Sequence, residues 1–213
     1  MNFRFTKDNT YCISLHDHSN RWEKMVRRFH DLNMEVTRLK ATTISDLEGC
    51  FGKDLNTLQK CCASSHVNAW KLFLKSNNDY VLILEDDACF DKEWRSKLDK
   101  FQFNSFDLIL LNASEPITPL DTWCITHENY LTGGYIISRN GVEQLLDMFQ
   151  NCYYTSDWMT SRLQQFSNSY TYFPWLIIQD GKESTIGSDV NADHNKVKRC
   201  LTDVNYSFNN YII

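Results

Sequence analysis

Glycine is scarce in this chain, with seven in 213 residues, and neither GxxxxGK[ST] nor GxGxxG occurs. Any nucleotide bound here is held without a glycine cradle around its phosphates. A basic excess is also missing: 22 Lys and Arg stand against 27 Asp and Glu, a formal net charge of -5, which removes the electrostatic footprint of nucleic-acid binding. No stretch approaches the roughly 20 apolar residues of a membrane span. The opening MNFRFTKDNTYCISL has no long apolar core like that of a signal peptide, so a soluble, cytoplasmic chain is expected. The eight cysteines contain no CxxC pair. Without an export signal they are expected as reduced, buried thiols, not as disulfides or a structural zinc site.

What remains describes one ordinary globule, 42% hydrophobic and 23% charged, with aromatics at 14%. TYCISL (10–15) is a short β-prone run, and NRWEKMVRRFHDL (20–32) carries Trp22, Met25, Val26, Phe29 and Leu32 at helical spacing behind Asn20 as its N-cap. LQKCCASSHVNAWKLFLKS (58–76) aligns Cys62, His66, Trp70 and Phe73 on one helical stripe. YVLIL (80–84) is too short for a buried helix and too continuous for a half-exposed strand, so it is expected as a central strand covered on both faces. FDLILLN (106–112) repeats that character. GGYIISRNGVEQLLDMF (133–149) predicts a strand, a turn at Asn140 and Gly141, and a helix. SDWMTSRLQQF (156–166) is helical and FPWLIIQ (173–179) a strand. The expectation is a single domain over 1–213, with 190–213 a wrapping tail or the lead into a further domain. Alternating strands and helices predict an α/β fold with a mostly parallel central sheet and helices on both faces, its ligand site at the carboxyl ends of the strands.

At one such end stand Glu85, Asp86 and Asp87. If the chain stayed extended, period two would set Glu85 and Asp87 on one face and Asp86 on the other. Converging carboxylates raise one another's pKa or hold a cation, and hard oxygen ligands suit Mn²⁺ or Mg²⁺. The alternative is that the acids favour the N-terminus of the next helix, DKEWRSKL, although Asp91 is the better cap by position.

CISLHDHSNRWEKM, CCASSHVNAW, LILEDDACF, GGYIISRNGVEQLL and FPWLIIQDGKESTI occur in this order. They resemble, respectively, the opening strand and Arg-bearing helix, the Ser-His helix, the aspartate motif, the later strand-helix and the proline-to-glutamine segment of glycosyltransferase family 25. The similarity covers about residues 11 to 189. The chain departs from the family pattern at His18, at Gln59-Lys60-Cys61-Cys62 and at Ser184-Thr185-Ile186. A virus-encoded member, in a host cytoplasm, would suit its compact size.

The resemblance implies a GT-A-like, Rossmann-type fold and a retaining, metal-dependent transfer of sugar. The donor implied is a nucleotide-sugar, a UDP-hexose, and the acceptor a glycan or glycoprotein; a catalytically degenerate sugar-binding or scaffolding module is the alternative. It implies Asp87 as ligand to Mn²⁺ (or Mg²⁺), Glu85 on metal or ribose, and Asp86 on the sugar or a backbone amide. Ser14 and Leu15 end the first strand, where such folds receive the base. Arg21 reads either as a phosphate contact or as a solvated first-turn charge. His66 is a buried hydrogen-bonded histidine or a catalytic one, and Asp157 a first-turn charge or a catalytic group. His194 is a metal ligand or a surface residue of the tail. Gly133 and Gly134 let backbone approach the sugar or make a turn, and Trp123 and Tyr135 stack on sugar or pack in the core.

Overall fold

The computed structural model describes residues 2–180 and 190–213, with side chains of the second stretch from 195 onward. The first half runs β1 (Thr10–Ser14), α1 (Ser19–Asp31), β2 (Thr37–Lys40), α2 (Thr57–Leu74), β3 (Tyr80–Glu85), β4 (Ala88–Asp91), α3 (Trp94–Asp99) and β5 (Leu108–Leu110). The second runs β6 (Thr122–Ile125), β7 (Gly134–Ser138), α4 (Arg139–Met148), α5 (Ser156–Gln164), β8 (Ser169–Phe173), β9 (Ile177–Gln179), α6 (Val190–Asp203) and β10 (Tyr211–Ile212).

Seven strands form the main sheet in the order β2-β1-β3-β7-β5-β8-β6. β1 pairs in parallel with β2 and β3, and β5 with β8, while β7 opposes β3 and β5 and β6 opposes β8. Five strands therefore share one direction. β4 leaves this sheet and lies between β9 and β10 in a small antiparallel one.

YVLIL is the partition between two cores. Val81 and Ile83 pack with Val67, Trp70 and Phe73 of α2, Leu145 of α4 and Met159 of α5. Leu82 and Leu84 pack with Met25 and Phe29 of α1 and with Trp94 and Leu98 of α3. All four strand residues are fully buried, as a strand with helices on both faces must be. Each large side chain so buried contributes roughly 1.5–3 kcal/mol.

Local signals for helix ends were misleading in three places. Asn20 lies inside α1, and His18 occupies the cap. Asn140 and Gly141 make no turn: Ser138 caps α4 by accepting the Gly141 amide at 3.0 Å, so both sit in its first turn. Asp91 ends β4, while Glu93 occupies the cap of α3; the Asp91 carboxylate still accepts the Glu93 amide at 2.8 Å. The cap of α2 is Asn56, in a reciprocal capping box with Gln59.

Asp91 and Lys97, both buried, are paired at 2.9 Å, and Lys97 also donates to the Tyr206 hydroxyl at 2.7 Å. Tyr206 donates its hydroxyl to the same carboxylate. The pair thus ties β4 and α3 to the segment that carries β10. Removing one partner of a buried pair strands the other charge, at a cost of about 3–5 kcal/mol. Lys97→Met is expected to lower the unfolding free energy by at least about 3 kcal/mol in urea titrations; an unchanged midpoint would show that the pair carries no stability.

Candidate active site

β1 and β3 end side by side, at Ser14 and Glu85, β9 of the small sheet ends at Gln179, and these ends line a cavity of about 270 Å³. The first turn of α1 brings Arg21 over it, α2 brings Cys62 and His66, and Ala41 to Ile44 form the opposite wall. Ser14, Leu15, Arg21, His66, Glu85, Asp86 and Asp87 all line it.

Glu85 is the odd-numbered end of β3 and faces α2, as Val81 and Ile83 do. Its carboxylate accepts from His66 Nε2 at 3.2 Å, Thr132 Oγ1 at 3.1 Å and Gln179 Nε2 at 3.2 Å. The histidine's role follows from its other neighbour. Trp70 Nε1 can only donate, and gives its proton to the Tyr135 hydroxyl at 2.8 Å. Tyr135 in turn satisfies its own proton by donating to His66 Nδ1 at 2.9 Å. The remaining proton of a neutral imidazole sits on Nε2 and is donated to Glu85. Burial pushes the Glu85 pKa up, but the bond from His66 and its electrostatic attraction, then the bond from Thr132 and the charge of Arg21, outweigh it and hold the group below its usual range.

The chain does not stay extended after Glu85. Asp86 and Asp87 form a two-residue turn into β4, and this turn, not strand period, separates them. Asp86 pairs with Arg21 at 2.5 Å. Asp87 lies 3.4 Å from the same guanidinium and accepts from Gln179 Nε2 at 3.2 Å, so one amide nitrogen joins it to Glu85. Burial, then the charge of Glu85, raise the Asp87 pKa to about 7 against the opposing pull of Arg21. The two carboxyls are thereby driven apart: Glu85 is ionised and Asp87 holds the proton near neutrality.

A divalent ion would displace that proton. Asp87 is an oxygen donor whose charge the surrounding groups leave undercompensated, so the carboxylates fit a hard cation. Cys62, His66 and Glu85 also bring ligand atoms within 4.8 Å of one another. There the donors are engaged: His66 Nε2 carries a proton, and burial followed by repulsion from Glu85 pushes the Cys62 thiol well up.

The other expected residues lie elsewhere. Gly134 pairs with Leu84 beneath the cavity, where a Cβ would meet Ile177 Cδ1 at 2.5 Å. Asp157 is in the first turn of α5 and accepts the Trp158 amide at 2.8 Å; its neighbour Ser156 reaches Thr132 at 2.9 Å. Tyr135 is fully buried and Trp123 6% exposed, so both pack in the core instead of stacking on a sugar. The side chain of His194 and the segment Ser184 to Ile186 lie outside the described residues. Sequence reasoning gave no role to Gln179, Thr132 or Asn112. Gln179 ends an apolar strand as Glu85 does, a parallel that was available. Asn112 is 1% exposed with neither amide atom hydrogen-bonded among the described residues, and its Oδ1 is 2.9 Å from where a Cβ on Gly133 would stand.

A mostly parallel α/β sheet with an acidic cavity across its strand ends defines a Rossmann-like domain of the GT-A kind. The chain belongs to glycosyltransferase family 25: that family's model, "Glycosyltransferase family 25 (LPS biosynthesis protein)", matches residues 7–117. It is 24% identical over 171 residues to procollagen galactosyltransferase 1-A of Xenopus laevis, covering 66% of this chain and 28% of that protein. To human procollagen galactosyltransferase 2 it is 25% identical over 170 residues, covering 65% and 27%. To a glycosyltransferase 25 family member of Drosophila melanogaster it is 26% identical over 172 residues, covering 67% and 28%. The matches thus span little more than a quarter of these relatives.

The raised Asp87 pKa has a stability consequence. Between pH 4 and 7 the folded protein keeps a proton that the unfolded chain has released, so the group's contribution is complete below its unfolded pKa and is lost as pH rises through about 7. Asp87→Asn removes that dependence. Relative to the wild type, the variant is expected to gain on the order of a few kcal/mol as pH goes from 4 to 8. A constant difference in unfolding free energy across that range would contradict the assignment.

Proposed function

We propose that this chain transfers a sugar, with retention of configuration, from a nucleotide diphosphate donor, a UDP-hexose, to a glycan or glycoprotein acceptor, with Mn²⁺ or Mg²⁺ as cofactor. Family membership supports the class of reaction, and the names of the relatives point to galactosyl transfer. The observation that carries the reading is the cavity's charge. Three acidic groups, Glu85, Asp86 and Asp87, share the cavity lining with one guanidinium, Arg21. A diphosphate entering alone would be repelled, and a divalent cation on Asp87 and Glu85 reverses the sign.

In this reading Ser14 and Leu15 receive the base, and Arg21, held in place by Asp86, meets the phosphates. Asp87 and the Glu85 oxygen now bonded to Gln179 hold the ion. When bound, that ion supplies charge neutralisation on the departing diphosphate. His66 acts through Glu85: its fixed tautomer keeps the carboxylate ionised and oriented. Asp157 is assigned as a catalytic group near the acceptor or the reacting face of the sugar, and His194 as the nitrogen ligand that completes the metal shell.

Calorimetric titration with UDP-, GDP- and dTDP-sugars, with and without Mn²⁺, tests this. UDP-sugar binding is expected to require Mn²⁺, with slow hydrolysis of the donor in the absence of acceptor. Asp87→Asn is expected to weaken Mn²⁺-dependent binding by more than the roughly 10–100-fold that loss of an outer-shell partner costs. Failure of every nucleotide sugar to bind would overturn the reading, and binding without turnover would make the chain a sugar-binding module.

A further inference from the structure

Cys50 and Cys152 lie outside the cavity lining and take no part in the proposed transfer. Around them, two loops run side by side. Phe51 and Tyr153 form an isolated parallel bridge, in which the Tyr153 amide donates to Cys50 O and the Gly52 amide to Tyr153 O, each at 2.9 Å. That register sets Cys50 directly opposite Cys152 on one side of the bridge. Adjacent strands lie about 4.8 Å apart. This falls inside the roughly 4.4–6.8 Å between Cα atoms that a disulfide spans.

The Cys50 thiol is a close neighbour of Cys152: burial first, then the Cys50 thiol, push the Cys152 pKa up. The loops are pinned on both sides of the pair. The rings of Phe51 and Tyr153 are 6.0 Å apart, and the Tyr154 ring covers Gly52 so closely that a Cβ there would stand 2.9 Å from it. Cys50 is exposed and Cys152 half-buried, so a small reagent reaches the first sulfur.

We propose that Cys50 and Cys152 are a disulfide-forming pair, oxidised by a low-molecular-weight disulfide such as oxidised glutathione. The Cys50 thiolate attacks one glutathione sulfur, forming a mixed disulfide and releasing one glutathione thiolate. The Cys152 thiolate then attacks the Cys50 sulfur and releases the second. The two cysteine protons end on the two glutathione thiols, and the two electrons given up by the protein reduce one glutathione disulfide. The bond joins the loop that follows the cavity wall, Ala41 to Ile44, to the loop entering α5. Four residues past Cys152, at the first position of α5, Ser156 bonds Thr132, which itself donates to Glu85. The staple therefore ties the loop beside the cavity wall to the hydrogen-bond chain that supports Glu85, whatever reaction the cavity performs. This departs from the expectation of reduced thiols throughout.

Incubation of the full chain in glutathione buffers from reducing to oxidising, followed by peptide mapping without reductant, decides the matter. A Cys50–Cys152 linked peptide is expected, with a rise in Tm of roughly 10–20 °C for closure of a loop of about 100 residues. Cys50→Ser and Cys152→Ser should each abolish both, while Cys124→Ser, also partly exposed, keeps both. The pair is refuted if both thiols stay free in excess oxidised glutathione, if they stop as separate mixed disulfides, or if Cys50 links to another cysteine instead.

Discussion

One buried negative charge organises the site. Glu85 stands at the end of the central strand, and the groups that satisfy it come from α2, the loop before β7 and the end of β9. A carboxylate with little solvent is tolerable only when its oxygens are supplied with donors. The positions of His66, Thr132 and Gln179 are therefore not independent of one another. Each is fixed because the same oxygen atoms need it, and the hydrogen-bond chain back through Tyr135 to Trp70 carries that requirement into the core.

The neighbouring acids differ because their surroundings do. Asp86 has a guanidinium close by, Glu85 has three hydrogen-bond donors, and Asp87 has a shared amide and a more distant charge. Three chemically similar side chains become a counter-ion, an anchored anion and a protonated group. Under the proposed function, this gradation is what would make entry of a diphosphate depend on a metal. Arg28 stabilises the frame from below: buried, it donates to Ala88 O at 3.0 Å and lies 3.4 Å from Asp180.

Much of this was legible in the residues. YVLIL reads as a two-faced strand because both faces must be apolar, and α1 shows its periodicity because Met25 and Phe29 lie on one buried stripe, whereas α2 is buried on most of its sides between Cys61 and Phe73. What escaped had weaker local signatures. SYTYF is β8, yet its two Tyr and its Phe gave no pattern distinct from the loops around it, and its hydroxyl-bearing alternates are buried by the sheet. Asn140-Gly141 has the composition of a turn, but a serine two residues earlier supplies a helix cap and the helix prevails. The pairing of Glu85 with Asp87 was anticipated for a reason that proved incomplete. Strand period places Glu85, while a turn and a glutamine distant in sequence place Asp87. The cysteine pair was invisible for the same reason, since only tertiary register brings position 50 to position 152.

The brevity of the Asp86-Asp87 turn also bears on how such a site can diverge. Surface loops ordinarily absorb insertions and deletions. This one is closed at once by the pairing of β4 with β9, and the Asp180 amide reaches back to Asp87 O at 3.1 Å. A single extra residue would carry Asp87 away from Gln179 and Arg21 together. The acidic corner therefore tolerates no change of length, whereas connections not closed by strand pairing, such as the segment between β5 and β6, carry no such constraint.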